Sequence, residues 1–227
     1  MASTIFLIPC YGYQDQLNHV LRDLDGENVL VIDDGSPTAL YSHAPCIRHE
    51  RNLGYGAAQK TGFQHALSKG FDRIVLVHGD NQYSASILQQ ASKKAEDVDI
   101  LLGSRMLLEE ASIPWWRKWG NRFLTGCVNQ QYHCDYTDLH TGGRIYSRRF
   151  LTQVPYFSFS NDFLFDHQIL MWALQNQISI QEFPMPAKYD DSVSSISFLH
   201  SVRYGLGCIR DIYLSTSRRA DQKTRQD

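Results

Sequence analysis

Four short apolar runs, each followed by a helical pattern, fill the first 103 residues, and this alternation constrains the fold more than any other feature. "TIFLIP" from Thr4, "NVLVIDDGSP" from Asn28, "DRIVLVHGD" from Asp72 and "VDILLGSR" from Val98 read as strands. A further short strand is expected around Ile47. Between the strands, Gln14 to Leu24 places Leu17, Val20, Leu21 and Leu24 on one helical face. "NLGYGAAQKTGFQHALSKG" is a glycine-rich loop entering a helix that stops at Gly70, and Ser84 to Ala95 is a third helix, with Ser84 or Ser86 as its N-cap. Strands alternating with helices imply an α/β fold: a mostly parallel central sheet flanked by helices. The strands end at Pro9, Asp33, Asp80 and Gly103. Ligands of open α/β sheets bind at the carboxyl ends of strands, so these four ends are expected to face one crevice.

The second half is less regular. Trp115 to Gln130 reads as a helix with a basic cluster at Arg117, Lys118 and Arg122. "DLHTGGRIYSRRFL" from Asp138 is a loop running into a short strand. Asp162 to Gln175 reads as helix and "ISIQEFPMP" from Ile178 as strand. Phe198, Val202, Leu206, Ile209 and Tyr213 recur at helical spacing, before a basic tail from Arg218. With no repeat or linker, residues 1–227 are expected to form one domain. At 43% hydrophobic, the chain has enough apolar material for a sizeable core. A net charge of −2 argues against a general nucleic-acid binder. The five cysteines are scattered without a CxxC, which points to reduced thiols and a cytoplasmic setting. His133 and Cys134, near Asp138 and His140, match no ordinary zinc spacing. No run has the length expected of a spanning helix or the flanks of a signal peptide.

"IVLVHGDNQY", from Ile74, is the most informative segment. A strand ending in Asp80 with Gln82 two residues on offers oxygen ligands to a hard divalent cation such as Mg²⁺ or Mn²⁺. The bland alternative is that Asp80 caps the helix near Ser84. "DDGS" at Asp33 to Ser36 is either a plain turn or a carboxylate acceptor for a nucleotide base or ribose. Gly54 and Gly56 form neither a Walker loop nor a full dinucleotide fingerprint, since Gln59 stands at the third glycine position.

Taken in order, "LIPCYG", "VIDDGSP", "ERNLGYGAAQKTGF", "VLVHGDNQY", "LLGSR" and "DLHTGGRIYSR" resemble the family-2 glycosyltransferases of the GT-A fold, most closely the branch of dolichol- and polyprenyl-phosphate sugar synthases. The resemblance runs from about Ile5 to Ile196 and implies a nucleotide-sugar-binding half to about residue 105, with an acceptor half and C-terminal helix beyond it. It implies that Pro9 and Tyr11 border the nucleotide base, that Asp33 and Asp34 contact base and ribose, and that Asn52, Gly54 and Gly56 lie beside the nucleotide. It implies Asp80 and Gln82 near metal and diphosphate, Arg105 in the "GSR" motif, and Asp138, Gly142 and Arg144 on the acceptor side. The chain departs from the pattern at His78, which stands where relatives carry the first acid of DxD; an imidazole there either ligates the metal or hydrogen-bonds a phosphate or water.

The reaction so implied moves a sugar from a UDP- or GDP-sugar to a polyprenyl-phosphate-type lipid, with inversion. The alternatives are a glycan or small-molecule hydroxyl acceptor, or a catalytically silent sugar-nucleotide-binding module. Arg117, Arg122 and Arg144 are candidates for phosphate contacts. Asp138 is the candidate base toward a hydroxyl, with His140 as substitute or positioning group. Asp162 and Asp166, one helical turn apart, are placed to reach the acceptor pocket. The last apolar stripe, with its arginines, is a candidate for peripheral contact with the inner face of a membrane.

Overall fold

The computed structural model describes residues 2–94, 97–108, 113–188 and 202–213. Seven strands form one sheet: β1 (Thr4–Cys10), β2 (Val29–Asp33), β3 (Cys46–Arg48), β4 (Arg73–Leu76), β5 (Ile100–Ser104), β6 (Arg144–Ser147) and β7 (Ile180–Pro184). Their spatial order is β3-β2-β1-β4-β6-β5-β7, and only β6 runs antiparallel to its neighbours. The helices are α1 (Gln14–Asp23), α2 (Tyr55–Ser68), α3 (Ala85–Lys94), α4 (Trp115–Tyr132), α5 (Arg148–Gln153) and α6 (Leu164–Gln175). Residues 202–213 are also helical; Phe198 and the basic tail from Arg218 lie outside the described residues. The expected α/β class and mostly parallel sheet are those observed.

Side chains alternate across a strand, and β1 shows the result. Ile5 and Leu7 join Leu30, Ile32, Phe63, Tyr146 and Phe165 on the face covered by α2, α5 and α6. Phe6 and Ile8 join Leu17, Val20, Leu21, Val75 and Leu88 on the face covered by α1 and α3. A strand buried on both faces has no polar positions to spare, which is why these runs read as continuous apolar stretches. Phe63 is fully buried and meets the ring edges of Tyr146 and Tyr156 at 5.6 and 5.5 Å, so its truncation to Ala would cost about 3–5 kcal/mol.

The antiparallel β6 positions the site. Arg144 pairs with Leu76 of β4 and Leu102 of β5, so the start of β6 lies at the carboxyl ends of its neighbours. The loop before it, residues 138–143, thereby reaches the same edge as the turns after β1, β2 and β4. Among the described residues no helix is long and apolar enough to cross a membrane.

Candidate active site

At the end of β2 two adjacent carboxylates point into different surroundings. Asp34 accepts hydrogen bonds from His49 Nδ1 at 2.7 Å, Leu53 N at 3.0 Å and Gly54 N at 2.9 Å, which ties the glycine loop to the strand. Gly54 has φ of +104°, and a Cβ there would stand 2.3 Å from the Asn161 carbonyl oxygen, so both backbone and space require glycine. Asp33 turns away from the loop: it pairs with the Arg48 guanidinium and accepts from Ser36 N at 2.8 Å and Leu40 N at 3.3 Å. Burial raises its pKa, but the Ser36 and Leu40 hydrogen bonds and the Arg48 charge outweigh that, and its carboxyl titrates below the ordinary value.

After β4 the chain turns sharply. Asn81 adopts φ of +58°, a left-handed conformation that Asn tolerates better than most residues. Its N–H donates to the His78 carbonyl at 3.3 Å, and Gln82 N–H donates to Asp80 Oδ1 at 3.0 Å. The turn leaves Asp80 and Gln82 both half-buried on the wall of one cleft. A carboxylate beside an amide oxygen, with no thiol in the set, is a donor pair suited to Mg²⁺ or Mn²⁺. His78 has a more confined position. Its Nε2 shares a hydrogen bond with Tyr55 Oη at 2.7 Å, and Tyr55 and Tyr83 meet its ring edge-on, each at 5.3 Å between centroids. Gly142 lies against the same ring, where a Cβ would stand 2.3 Å from Cε1 and Nε2.

At the other end of the cleft Asp138 is fully buried and does not reach the wall. Both of its oxygens bind Arg105: Oδ2 accepts from Nε at 2.6 Å and from the backbone N–H at 3.2 Å, and Oδ1 from Nη2 at 2.9 Å. His140 N–H adds a bond to Oδ1 at 3.3 Å. Arg144 is buried and donates to the carbonyls of Thr141 and Asp166 at 2.8 Å and of Leu139 at 3.3 Å. Burial opposes its charge, yet Asp166, 3.7 Å away, and neighbouring tyrosines hold its pKa above the ordinary arginine value. The Asp166 carboxylate also accepts from Gln59 Nε2 at 2.7 Å and Tyr55 Oη at 3.4 Å. Asp162 Oδ1 accepts from Leu164 N–H at 2.9 Å, securing the start of α6.

The cleft encloses about 650 Å³. Of the residues expected at a nucleotide-sugar site, Pro9, Tyr11, Asp34, Asn52, Gly54, His78, Asp80, Gln82, Arg105, Arg117, His140, Arg144 and Asp162 line it. Asp33, Gly56, Arg122 and Asp138 are not on its wall. Gly56 lies under it, where a Cβ would meet Ser160 O and Phe165 Cβ at 2.7 Å. Arg122 is exposed on α4. Sequence reasoning missed Tyr55, Tyr83 and Phe163, which form an aromatic wall with His78. The signal for Tyr55 was its place between two glycines that the loop cannot replace.

A parallel sheet with one antiparallel strand, carrying an acid and an amide at its carboxyl edge, is an architecture of the GT-A type. The family model for glycosyl transferase family 2 matches residues 6–154, and the chain belongs to that family. Among curated proteins it is similar to UDP-N-acetylglucosamine–dolichyl-phosphate N-acetylglucosaminyltransferase of Methanococcus voltae, 24% identical over 219 residues, covering 82% of this chain and 85% of the relative. It is also similar to polyprenol monophosphomannose synthase of Mycolicibacterium smegmatis, 23% identical over 205 residues, covering 80% and 76%. Among solved structures, glucosyl-3-phosphoglycerate synthase of Mycobacterium tuberculosis, in complex with Mn²⁺, UDP-glucose and phosphoglyceric acid, superposes with a TM-score of 0.70 at 11% identity, covering 95% of this chain and 80% of that one. At that identity the likeness is one of fold.

Proposed function

We propose that this glycosyltransferase moves a sugar, with inversion, from a nucleotide diphosphate sugar to a polyprenyl-phosphate-type lipid, using Mg²⁺ or Mn²⁺. Asp80 and Gln82 would hold the ion, which when bound neutralises charge on the departing diphosphate. His78 is packed between Tyr55, Tyr83 and Gly142 with Nε2 committed to Tyr55, so that nitrogen is not offered to the ion. Pro9, Tyr11, Asn52 and the loop pinned by Asp34 form the nucleotide groove. Asp33 and Gly56 support that groove from behind. At the acceptor end Arg105 and Arg144, each paired with a carboxylate (Asp138 and Asp166), line the cleft, and Arg117 on α4 lines it too, as candidates for phosphate contact.

One observation carries the choice of acceptor: the carboxylate best placed by sequence to act as a base, Asp138, is buried with both oxygens on Arg105. Held by the guanidinium and off the cleft wall, neither oxygen is within hydrogen-bond reach of a hydroxyl bound in the cleft, which a general base requires. A phosphate monoester is already ionised at neutral pH and attacks without a base. Both curated relatives are named for polyprenyl or dolichyl phosphate chemistry, which agrees with this reading. The surface beside the cleft supports it too. Trp115, Trp119 and Phe123 are exposed along α4, interleaved with Arg117, Lys118 and Arg122. Val202, Leu206 and Ile209 are exposed on the helix at residues 202–213, which also carries Arg203 and Arg210. Apolar side chains amid arginines suit an anionic lipid surface, as peripheral contact requires. A hydroxyl acceptor remains the second reading, because Asp162 and Asp166 both line the cleft.

The test is a panel of UDP- and GDP-sugars with and without Mg²⁺ or Mn²⁺, using polyprenyl phosphate in vesicles and soluble hydroxyl acceptors. Metal-dependent transfer to the lipid phosphate, lost in Asp80→Ala, is expected. Full turnover by Asp80→Ala with metal chelated would overturn the metal role, and product on soluble hydroxyls alone would overturn the acceptor.

A further inference from the structure

Beyond the acceptor end of the cleft, three segments far apart in sequence bring metal-ligating side chains together. His140 comes from the loop before β6, His167 from α6 and Cys208 from the helix at residues 202–213. One ligand atom from each lies within 4.8 Å of the others. The two imidazoles are stacked, 10° from parallel with centroids 6.0 Å apart. His167 is 1% exposed, and among the described residues neither of its ring nitrogens has a hydrogen-bond partner of ordinary geometry. His140 Nε2 is likewise buried without a partner. Buried polar atoms are almost always satisfied, so an unpartnered nitrogen on each of two rings beside a thiol asks for an occupant.

The remaining contacts specify what kind. His140 Nδ1 shares a hydrogen bond with Tyr204 Oη at 2.8 Å, which fixes the ring and leaves Nε2 to face the cluster. Such an outer partner on the second nitrogen is the usual support of a metal-bound histidine. Burial pushes the His167 pKa down to about 3, reinforced by His140 and Arg144, with the Cys208 backbone weakly opposing. Burial, with Arg144 and Arg105, pushes His140 to about 3 as well. Both rings are therefore neutral, the form that ligates metal. Burial also pushes the Cys208 thiol up to about 12, a preference that a bound dication reverses.

We propose that His140, His167 and Cys208 form a binding site for a zinc-class transition-metal ion, distinct from the hard-cation corner at Asp80. Two imidazoles and a thiolate are ligands for a borderline-soft ion and not for Mg²⁺. Three protein ligands leave one position of a tetrahedral ion for water. On binding, Cys208 gives up its thiol proton to solvent and a metal–sulfur bond forms, with no change of oxidation state. The ion would staple the helix at residues 202–213 to α6 and to the acceptor loop, closing one wall of the cleft.

The experiment adds Co²⁺ to the metal-stripped full chain and follows the thiolate-to-cobalt charge-transfer band in the near ultraviolet. It is paired with thermal melting under Zn²⁺, Mg²⁺ and chelator. One equivalent of Co²⁺ should produce the band; Cys208→Ser and His167→Gln should abolish it, and Asp80→Ala should keep it. Zn²⁺, but not Mg²⁺, should raise the melting temperature of the wild-type chain. Where Cys208→Ser fails to fold, the wild-type melts and band decide alone. Absence of the band from the wild-type chain together with Zn²⁺-insensitive melting overturns the site. So does a band that persists in a folded Cys208→Ser, or one that disappears in Asp80→Ala.

Discussion

Replacing Gly142 with alanine tests how tightly His78 is held. Only a methyl group is added, and the backbone at Gly142 is not left-handed, so no strain arises from φ. The methyl would stand 2.3 Å from His78 Cε1 and Nε2 and 3.1 Å from Tyr83 Cε2. Carbon atoms in contact prefer about 3.5–4.0 Å, so something must move by more than an ångström. His78 has little room to retreat, since Tyr55 and Tyr83 flank it and Tyr55 Oη engages its Nε2. Overpacking of this kind costs about 1–3 kcal/mol. In a chain of this size each kcal/mol moves the melting temperature by roughly 2–4 °C, so Gly142→Ala should melt about 2–12 °C lower. The matched control is Gly126→Ala, exposed within α4 with nothing within 4 Å of its new Cβ. There alanine should stabilise by about 0.4–1 kcal/mol by restricting the unfolded chain. Differential scanning fluorimetry on both variants, with metal-dependent donor binding measured alongside, reads the two signs. Equal melting temperatures for Gly142→Ala and wild type would refute the tight packing of His78, and unchanged metal-dependent donor binding would show that the ring's position does not matter to the ion.

Asp138→Asn removes the charge facing buried Arg105 and should destabilise by about 3–5 kcal/mol, lowering transfer and donor hydrolysis together. Selective loss of transfer to a hydroxyl would instead restore Asp138 as a base. The double variant Asp138→Leu with Arg105→Met should melt above the single Asp138→Asn, because no unpaired charge remains buried. The folded-state pKa values of Asp33 and Asp99 are depressed, so their stabilisation is fully present above the unfolded value and is lost as pH falls through the folded ones. Acid titration followed by circular dichroism should therefore show a shallower loss of stability in Asp33→Asn than in wild type; an unchanged slope would count against a depressed Asp33 carboxyl, held by Ser36, Leu40 and Arg48. Trp119→Ser combined with Phe123→Ser should weaken sedimentation with anionic vesicles while leaving melting nearly unchanged, and undiminished vesicle binding would remove α4 from the membrane contact.

The strands and the positions where they end were legible because burial on both faces leaves an unbroken apolar run that stops where the chain meets the cleft. Helix ends followed the same logic: Ser84 Oγ accepts from Ile87 N–H at 3.4 Å at the start of α3, and α2 gives way before Gly70. Pairing between distant segments was not legible. Asp138 meets Arg105 across 33 residues, and Asp166 meets Gln59 across 107, through strand order that no local spacing encodes. The four residues of β6 do not announce that they run antiparallel between β4 and β5. Local pattern therefore located the carboxylates near the cleft, while the sheet decided which of them are committed to a partner.

That single reversed strand has a consequence for how such a chain can change. In a wholly parallel sheet, everything at the carboxyl edge follows a strand, and altering it disturbs the helix packed next. Residues 138–143 precede a strand instead, anchored by Arg144 and by the bond from Gly103 N–H to Gly143 O at 2.9 Å. They meet the chain before residue 106 along one seam: Gly142 on His78 and Tyr83, Asp138 and His140 on Arg105, and Gly143 on Gly103. On the proposed function, acceptor preference would drift through that loop and the helices beside it, while donor handling by β1, β2 and β4 would be retained. Exchanging such loops between relatives should transplant acceptor choice only where the seam glycine is kept.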